Sequence, residues 1–132
     1  MKQELIKELF KKFEEASAQI NEIECWSARS LSDLLGYAEW RNFLNVIEKA
    51  KTACNNSGEA VQNHFIDVTK KVRIGSGTER QVDDIALTRY ACYLVAQNGN
   101  PSKSEVAFAQ TYFAVQTRRQ EIIEQRLLVQ KH

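Results

Sequence analysis

Residues 65–83 read FIDVTKKVRIGSGTERQVD, and this stretch sets the fold class. Phe65, Ile66, Val68, Val72 and Ile74 are aromatic or β-branched and alternate in part with polar residues, the period-two pattern of a strand. Gly75-Ser76-Gly77-Thr78 supplies turn chemistry. Arg80, Gln81, Val82 and Asp83 return as the second strand. The stretch therefore predicts a β-hairpin. Most of the sequence on either side reads as helix, so the expected fold is mainly α within the α+β class: a helical domain carrying one short basic hairpin.

Upstream, residues 2–19 predict an amphipathic helix with Leu5, Ile6, Leu9, Phe10 and Phe13 at helical spacing. Its apolar stripe reads as core packing, because a membrane-surface helix wants excess Lys and Arg, and residues 1–24 carry more Glu than Lys. Residues 21–27 hold a short strand candidate at Ile23, Cys25 and Trp26. Ser27 is placed to cap a helix over Ala28–Leu35, and Gly36 stands where a left-handed C-cap is wanted. A further helix is expected over Ala38–Ala53, with Trp40, Phe43, Leu44 and Ile47 on successive turns. Trp40 reads first as core or as a wedge between helices.

Downstream, Asp84 or Thr88 can open a helix that carries Ile85, Leu87, Tyr90, Leu94 and Val95 as far as Gln97. Asn98-Gly99-Asn100-Pro101 stops it. Ser102 and Glu105 have the Ser-x-x-Glu spacing of a capping box. A long C-terminal helix is expected over 103–129, with Val106, Ala109, Phe113 and Gln116 on its first face. It stays apolar at Leu127, Leu128 and Val129, which reads as the N-terminal portion of a longer chain or as an end that packs on a partner.

The composition narrows the classes. The chain has 132 residues, 43% of them hydrophobic and 27% charged, an ordinary globular mix of single-domain size. Such a domain buries roughly two-thirds of its unfolded surface. Cys25, Cys54 and Cys92 are odd in number and far apart, with no CxxC, which argues against a disulfide framework and a zinc site and for a reducing cytoplasm. The N-terminus lacks the apolar core of a signal peptide, and no run reaches the roughly 20 apolar residues that span a bilayer. No membrane association is expected.

Catalysis finds little support. His64 and His132 are the only histidines, and His64 beside Phe65 reads as structural. Asp83-Asp84 lacks the further carboxylates of a Mg²⁺ site; here Asp84 is expected to cap the following helix and Asp83 to be solvated. Gly75-Ser76-Gly77 lacks the Lys-Ser/Thr ending of a phosphate-binding loop. No enzyme, cofactor or metal is expected.

Charge says more. The net charge of +1 excludes a globally basic nucleic-acid binder. Within residues 70–80, however, Lys70, Lys71, Arg73 and Arg80 face only Glu79 as an acid. Lys71 and Arg73 share strand parity, and Lys70 lies on the other face. A Gly-rich tip flanked by cations can follow a phosphate backbone. Residues 28–53 also trace the outline of a helix-turn-helix bent at Gly36, whose second helix offers Arg41, Asn45, Lys49 and Lys51. Asn42 and Asn45 fall where that motif wants apolar residues.

ECWSARSLSDLLGY, residues 24–37, resembles the opening motif of the BRO N-terminal domains found in viral BRO proteins and phage antirepressors. The matching positions are Trp26, Ala28, Arg29, Leu35, Gly36 and Tyr37. DDIALTRYACYLVAQNG (83–99) and AQTYFAVQTRR (109–119) are similar to a bacterial, damage-inducible branch of the same family, so the resemblance spans roughly residues 20–126. It implies a non-enzymatic, DNA-associated protein of the SOS response, cytoplasmic and on the nucleoid, with a role in regulating recombinase filaments.

Two readings follow. In the first, a DNA-binding regulatory domain grips single-stranded or duplex DNA through Lys70, Lys71, Arg73 and Arg80, with Arg29, Arg41 and Lys49 extending the track. In the second, a protein-interaction module docks on a recombinase or forms a homo-oligomer through its C-terminal helix.

Overall fold

The computed structural model describes residues 2–115 and 126. Helix α1 (Gln3–Ala16) leads into β1 (Ser17–Ile20) and β2 (Ile23–Ser27). Helices α2 (Ala28–Leu34), α3 (Trp40–Asn56) and the single turn α4 (Val61–His64) follow. Then come β3 (Phe65–Arg73), β4 (Glu79–Thr88) and α5 (Arg89–Gln97). A last helix, α6, is described over residues 104–115.

The four strands form one antiparallel sheet in the order β1-β2-β4-β3. The hairpin is thus half of a sheet and not an isolated insertion between helices. Its second strand runs to Thr88, five residues past the expected Asp83. Ile85, Ala86, Leu87 and Thr88 are all buried, and a continuous apolar run does not distinguish a two-sided buried strand from a helix by periodicity. Of the two expected openings for the next helix, Thr88 is the cap: its Oγ1 accepts from the Ala91 amide at 3.2 Å. Asp84 lies within β4.

The sequence also missed β1. Helix α1 stops at Ala16, where Ser17 turns extended and its Oγ donates to the Glu14 carbonyl at 2.8 Å. Asn21 and Glu22, both at positive φ, make a two-residue turn into β2. Helix α3 starts and ends a few residues later than expected. The capping box does not form, because the Ser102 Oγ donates to Asn100 Oδ1 at 2.8 Å. Of the expected C-terminal helix, residues 104–115 are helical, and nearly all of the remaining span lies outside the described residues.

The core gathers Phe13 of α1, Trp26 of β2, Phe43 and Ile47 of α3, Leu87 of β4, Val95 of α5 and Phe113 of α6. The Trp26 indole stands edge-on to Phe113 and its N–H donates to the Phe13 carbonyl at 2.9 Å. Only part of the apolar stripe of α1 joins this core. Leu9 and Phe13 are buried, whereas Leu5, Ile6 and Phe10 stay exposed.

Candidate nucleic-acid interface

Strand β2 reaches β4 only at Ala86–Thr88. The five pairs from Thr69↔Asp83 to Arg73↔Glu79 therefore have no third strand beside them. They form a two-stranded ribbon that projects past the sheet by roughly 15 Å, at about 3.3 Å per residue.

Cross-strand partners share a face of a ribbon, and successive residues alternate. The register puts Lys71 and Arg73 on one face with Thr69, Gln81 and Glu79. Lys70 and Arg80 lie on the other, with Val72 and Val82. The four hairpin cations expected to act together are split two and two. Lys71, Arg73 and Arg80 are exposed, and among the described residues they make no ion pair. Lys70 is half-buried, its Nζ donating to the Ser30 Oγ of α2 at 3.0 Å.

Arg29 closes the free edge of β4. Its Nε donates to the Asp83 carbonyl at 2.7 Å and its guanidinium lies 4.3 Å above the Trp40 ring. Two grooves meet at this stacked pair. The larger, of about 720 Å³, runs along Arg80, Gln81, Val82 and Asp83 to Leu44. The smaller, of about 300 Å³, includes Tyr37, Lys70 and Val72. Arg29, Lys70 and Arg80 thus surround Trp40, and an aromatic ring with adjacent cations is the chemistry that takes a nucleic-acid base and its phosphates. Trp40, read from the sequence as core or as a wedge between helices, is half-buried: it packs against the core beside Phe43 and also lines both grooves.

Arg41 and Lys49 stand apart from this cluster. With Asn45 between them they form an exposed i, i+4, i+8 stripe along α3, whose buried side carries Phe43, Val46, Ile47, Ala50 and Cys54. Helices α2 and α3 do succeed each other through a short connection. However, α2 packs on the sheet and α3 on α5, so they are not the core of a helix-turn-helix bundle.

Asp84 is the largest correction. It is 3% exposed and caps no following helix. Its carboxylate accepts from the Ser27 Oγ, the Arg29 amide at 3.1 Å and the Ile85 amide at 2.8 Å. The Ser27 Oγ in turn accepts from the Ser30 amide at 3.3 Å. One carboxylate thus fixes the start of α2, and with it Arg29, to the base of the ribbon. His64 Nδ1 lies 2.7 Å from the Thr88 Oγ1, and its ring packs edge-on against Tyr90.

Residues 16–114 match the BRO family, N-terminal domain, over most of the chain. The chain belongs to the BRO family. It is 54% identical over 104 residues to DNA damage-inducible protein D of Escherichia coli (strain K12), an alignment covering 79% of this chain and 38% of that relative. The chain thus spans well under half the length of the curated relative it matches. No solved structure matches.

The residues that carry the BRO motif now have physical roles. Trp26, Ala28 and Leu35 are buried. Gly36 has φ +79, which a side chain rarely adopts. Lys103 Nζ donates to the Gly36 carbonyl at 3.2 Å and lies 4.3 Å over the Tyr37 ring. Among them Arg29 and Tyr37 reach the candidate interface, Arg29 at both grooves and Tyr37 at the smaller one.

Proposed function

We propose that this chain is a DNA-associated regulatory module of the bacterial damage response, holding nucleic acid without catalysis along the β3–β4 ribbon and the Arg29–Trp40 grooves. The observation that carries the reading is the ribbon itself. It projects beyond the sheet with Lys71, Arg73 and Arg80 exposed and free of ion pairs among the described residues. BRO membership and a relative named for damage induction support it. Modulation of recombinase filaments belongs to the same proposal, as does a cytoplasmic location. Among the described residues no helix is long and apolar enough to cross a membrane.

Fluorescence anisotropy of labelled single-stranded and duplex oligonucleotides, titrated at several salt concentrations, tests it. Binding weakens with salt, with a logarithmic slope of roughly one for each phosphate neutralised. Binding that ignores salt, or no binding to either form, sinks the proposal.

A second reading rests on a different surface. Ile6 and Phe10 of α1 and Phe108, Tyr112 and Val115 of α6 line an apolar groove of about 370 Å³. Exposed apolar surface of this kind is where protein partners dock. In this reading the chain binds a recombinase or a second copy of itself, and Lys71→Glu with Arg73→Glu leaves that binding intact.

A further inference from the structure

We propose that Ile74 is an apolar wedge, which the ribbon drives between adjacent base pairs of duplex DNA. The inference rests on the nucleic-acid reading above and names the form of DNA and the way it is engaged. Ile74 is the first residue beyond the last ribbon pair, Arg73↔Glu79, and it is 45% exposed. A single exposed isoleucine is ordinary on a protein surface. This one is held in place at the end of a charged arm.

Its amide donates to the Thr78 carbonyl at 3.0 Å, and its carbonyl accepts from the Gly77 amide at 2.9 Å. The backbone at the tip is therefore clamped on both sides of the side chain. The β-branch leaves the side chain little rotamer freedom to lose on insertion. Beyond it, Gly75 and Gly77 carry no side chain, and nothing lies within 4 Å of where a Cβ would stand on either. Another molecule can approach the tip closely. Behind it, Lys71 and Arg73 on one face and Arg80 on the other are free to meet phosphates on either side of an opened step.

That arrangement suits duplex DNA better than a single strand. Single-strand binding relies on aromatic faces that stack on splayed bases; Ile74 at the tip has none, and Trp40, the ring of the interface, already carries the Arg29 guanidinium 4.3 Å over one face. Aliphatic side chains are used instead to part stacked base pairs from the minor groove while cations hold the backbone.

The test uses a duplex carrying 2-aminopurine at flexible pyrimidine–purine steps, where unstacking is easiest. Emission and anisotropy are read together for the unaltered chain and for Ile74→Ala. The unaltered chain binds and raises the 2-aminopurine emission. Ile74→Ala binds with the same salt slope and an affinity lower by roughly tenfold at most, since only a few buried carbons are removed. It gives no emission rise. A rise undiminished in Ile74→Ala, or duplex binding with no rise in the unaltered chain, overturns the wedge and leaves the nucleic-acid reading standing. Binding to single strands alone does the same. No binding to either form overturns both.

Discussion

Asp84 joins the sheet to α2 through three donors, from Ser27, Arg29 and Ile85. Its removal strips a charged acceptor from buried or half-buried groups, so Asp84→Ala costs about 2–3 kcal/mol, measured by urea unfolding. The variant also loosens Arg29 from Asp83 and weakens nucleic-acid binding without removing any exposed cation. The thiols act in a different range. Burial pushes the Cys25, Cys54 and Cys92 thiols above their ordinary range, with Glu24 and Glu59 adding at Cys25 and Cys54 and Arg89 opposing at Cys92. Burial raises the Tyr112 phenol as well, helped by its hydrogen bond to Glu14. Each of these groups holds its proton more tightly when folded than when unfolded. The stability they contribute is complete below their unfolded values, about 8.5 for a thiol and 10 for a phenol, and is lost as pH rises through the folded ones. Denaturation midpoints recorded against pH therefore fall from the alkaline side, and Tyr112→Phe flattens the part above about pH 10. A stability that is unchanged or rises there contradicts the assignment.

Helix α1 shows how far a single element is legible. Its periodicity was plain in the sequence, but periodicity does not say which apolar residues the rest of the chain covers. Phe13 is fully buried against Phe108, Tyr112 and Phe113, whereas Phe10 is 45% exposed and stands edge-to-face with Tyr112. Phe13→Ala is expected to cost about 3–5 kcal/mol. Phe10→Ala stays within about 1 kcal/mol in the isolated chain, because much of its ring is already in water. Thermal or urea unfolding of the two variants checks the contrast, and equal losses refute it. The hairpin was legible for a stronger reason: alternation and a Gly-Ser-Gly turn agree on one answer. Its far end was not, because the run from Ile85 to Thr88 lacks alternation wherever both faces are covered. Strand β1 was illegible since Ser17–Ile20 is short and pairs only with the strand beside it.

Across the whole molecule, the strings that carry the family resemblance place many of their apolar residues in the core. Trp26, Leu35, Ala91, Cys92, Val95, Ala109 and Phe113 are buried, so those strings specify the fold more than the site. Gly99 belongs with them, since a Cβ there would meet Val106 at 3.0 Å. The candidate site was readable as a cluster of charge but not as a surface. Strand parity already set Lys70 opposite Lys71 and Arg73, but only the register places Arg80 on the Lys70 face. Only the tertiary fold brings Arg29 and Trp40 to the ribbon. Arg41 and Lys49, by contrast, lie along a separate stripe of α3. Among the described residues, the molecule thus places a projecting basic arm on the ends of β3 and β4 that lie beyond the buried Phe65 and Ile85–Thr88, where charge can change without unfolding the rest. The most direct measurement follows from that separation: anisotropy of labelled single-stranded and duplex DNA with the unaltered chain and with Lys71→Glu plus Arg73→Glu, the two matched by circular dichroism. The account predicts salt-sensitive binding by the first and none by the second. Equal binding by a folded double variant, or no binding by the unaltered chain, contradicts it.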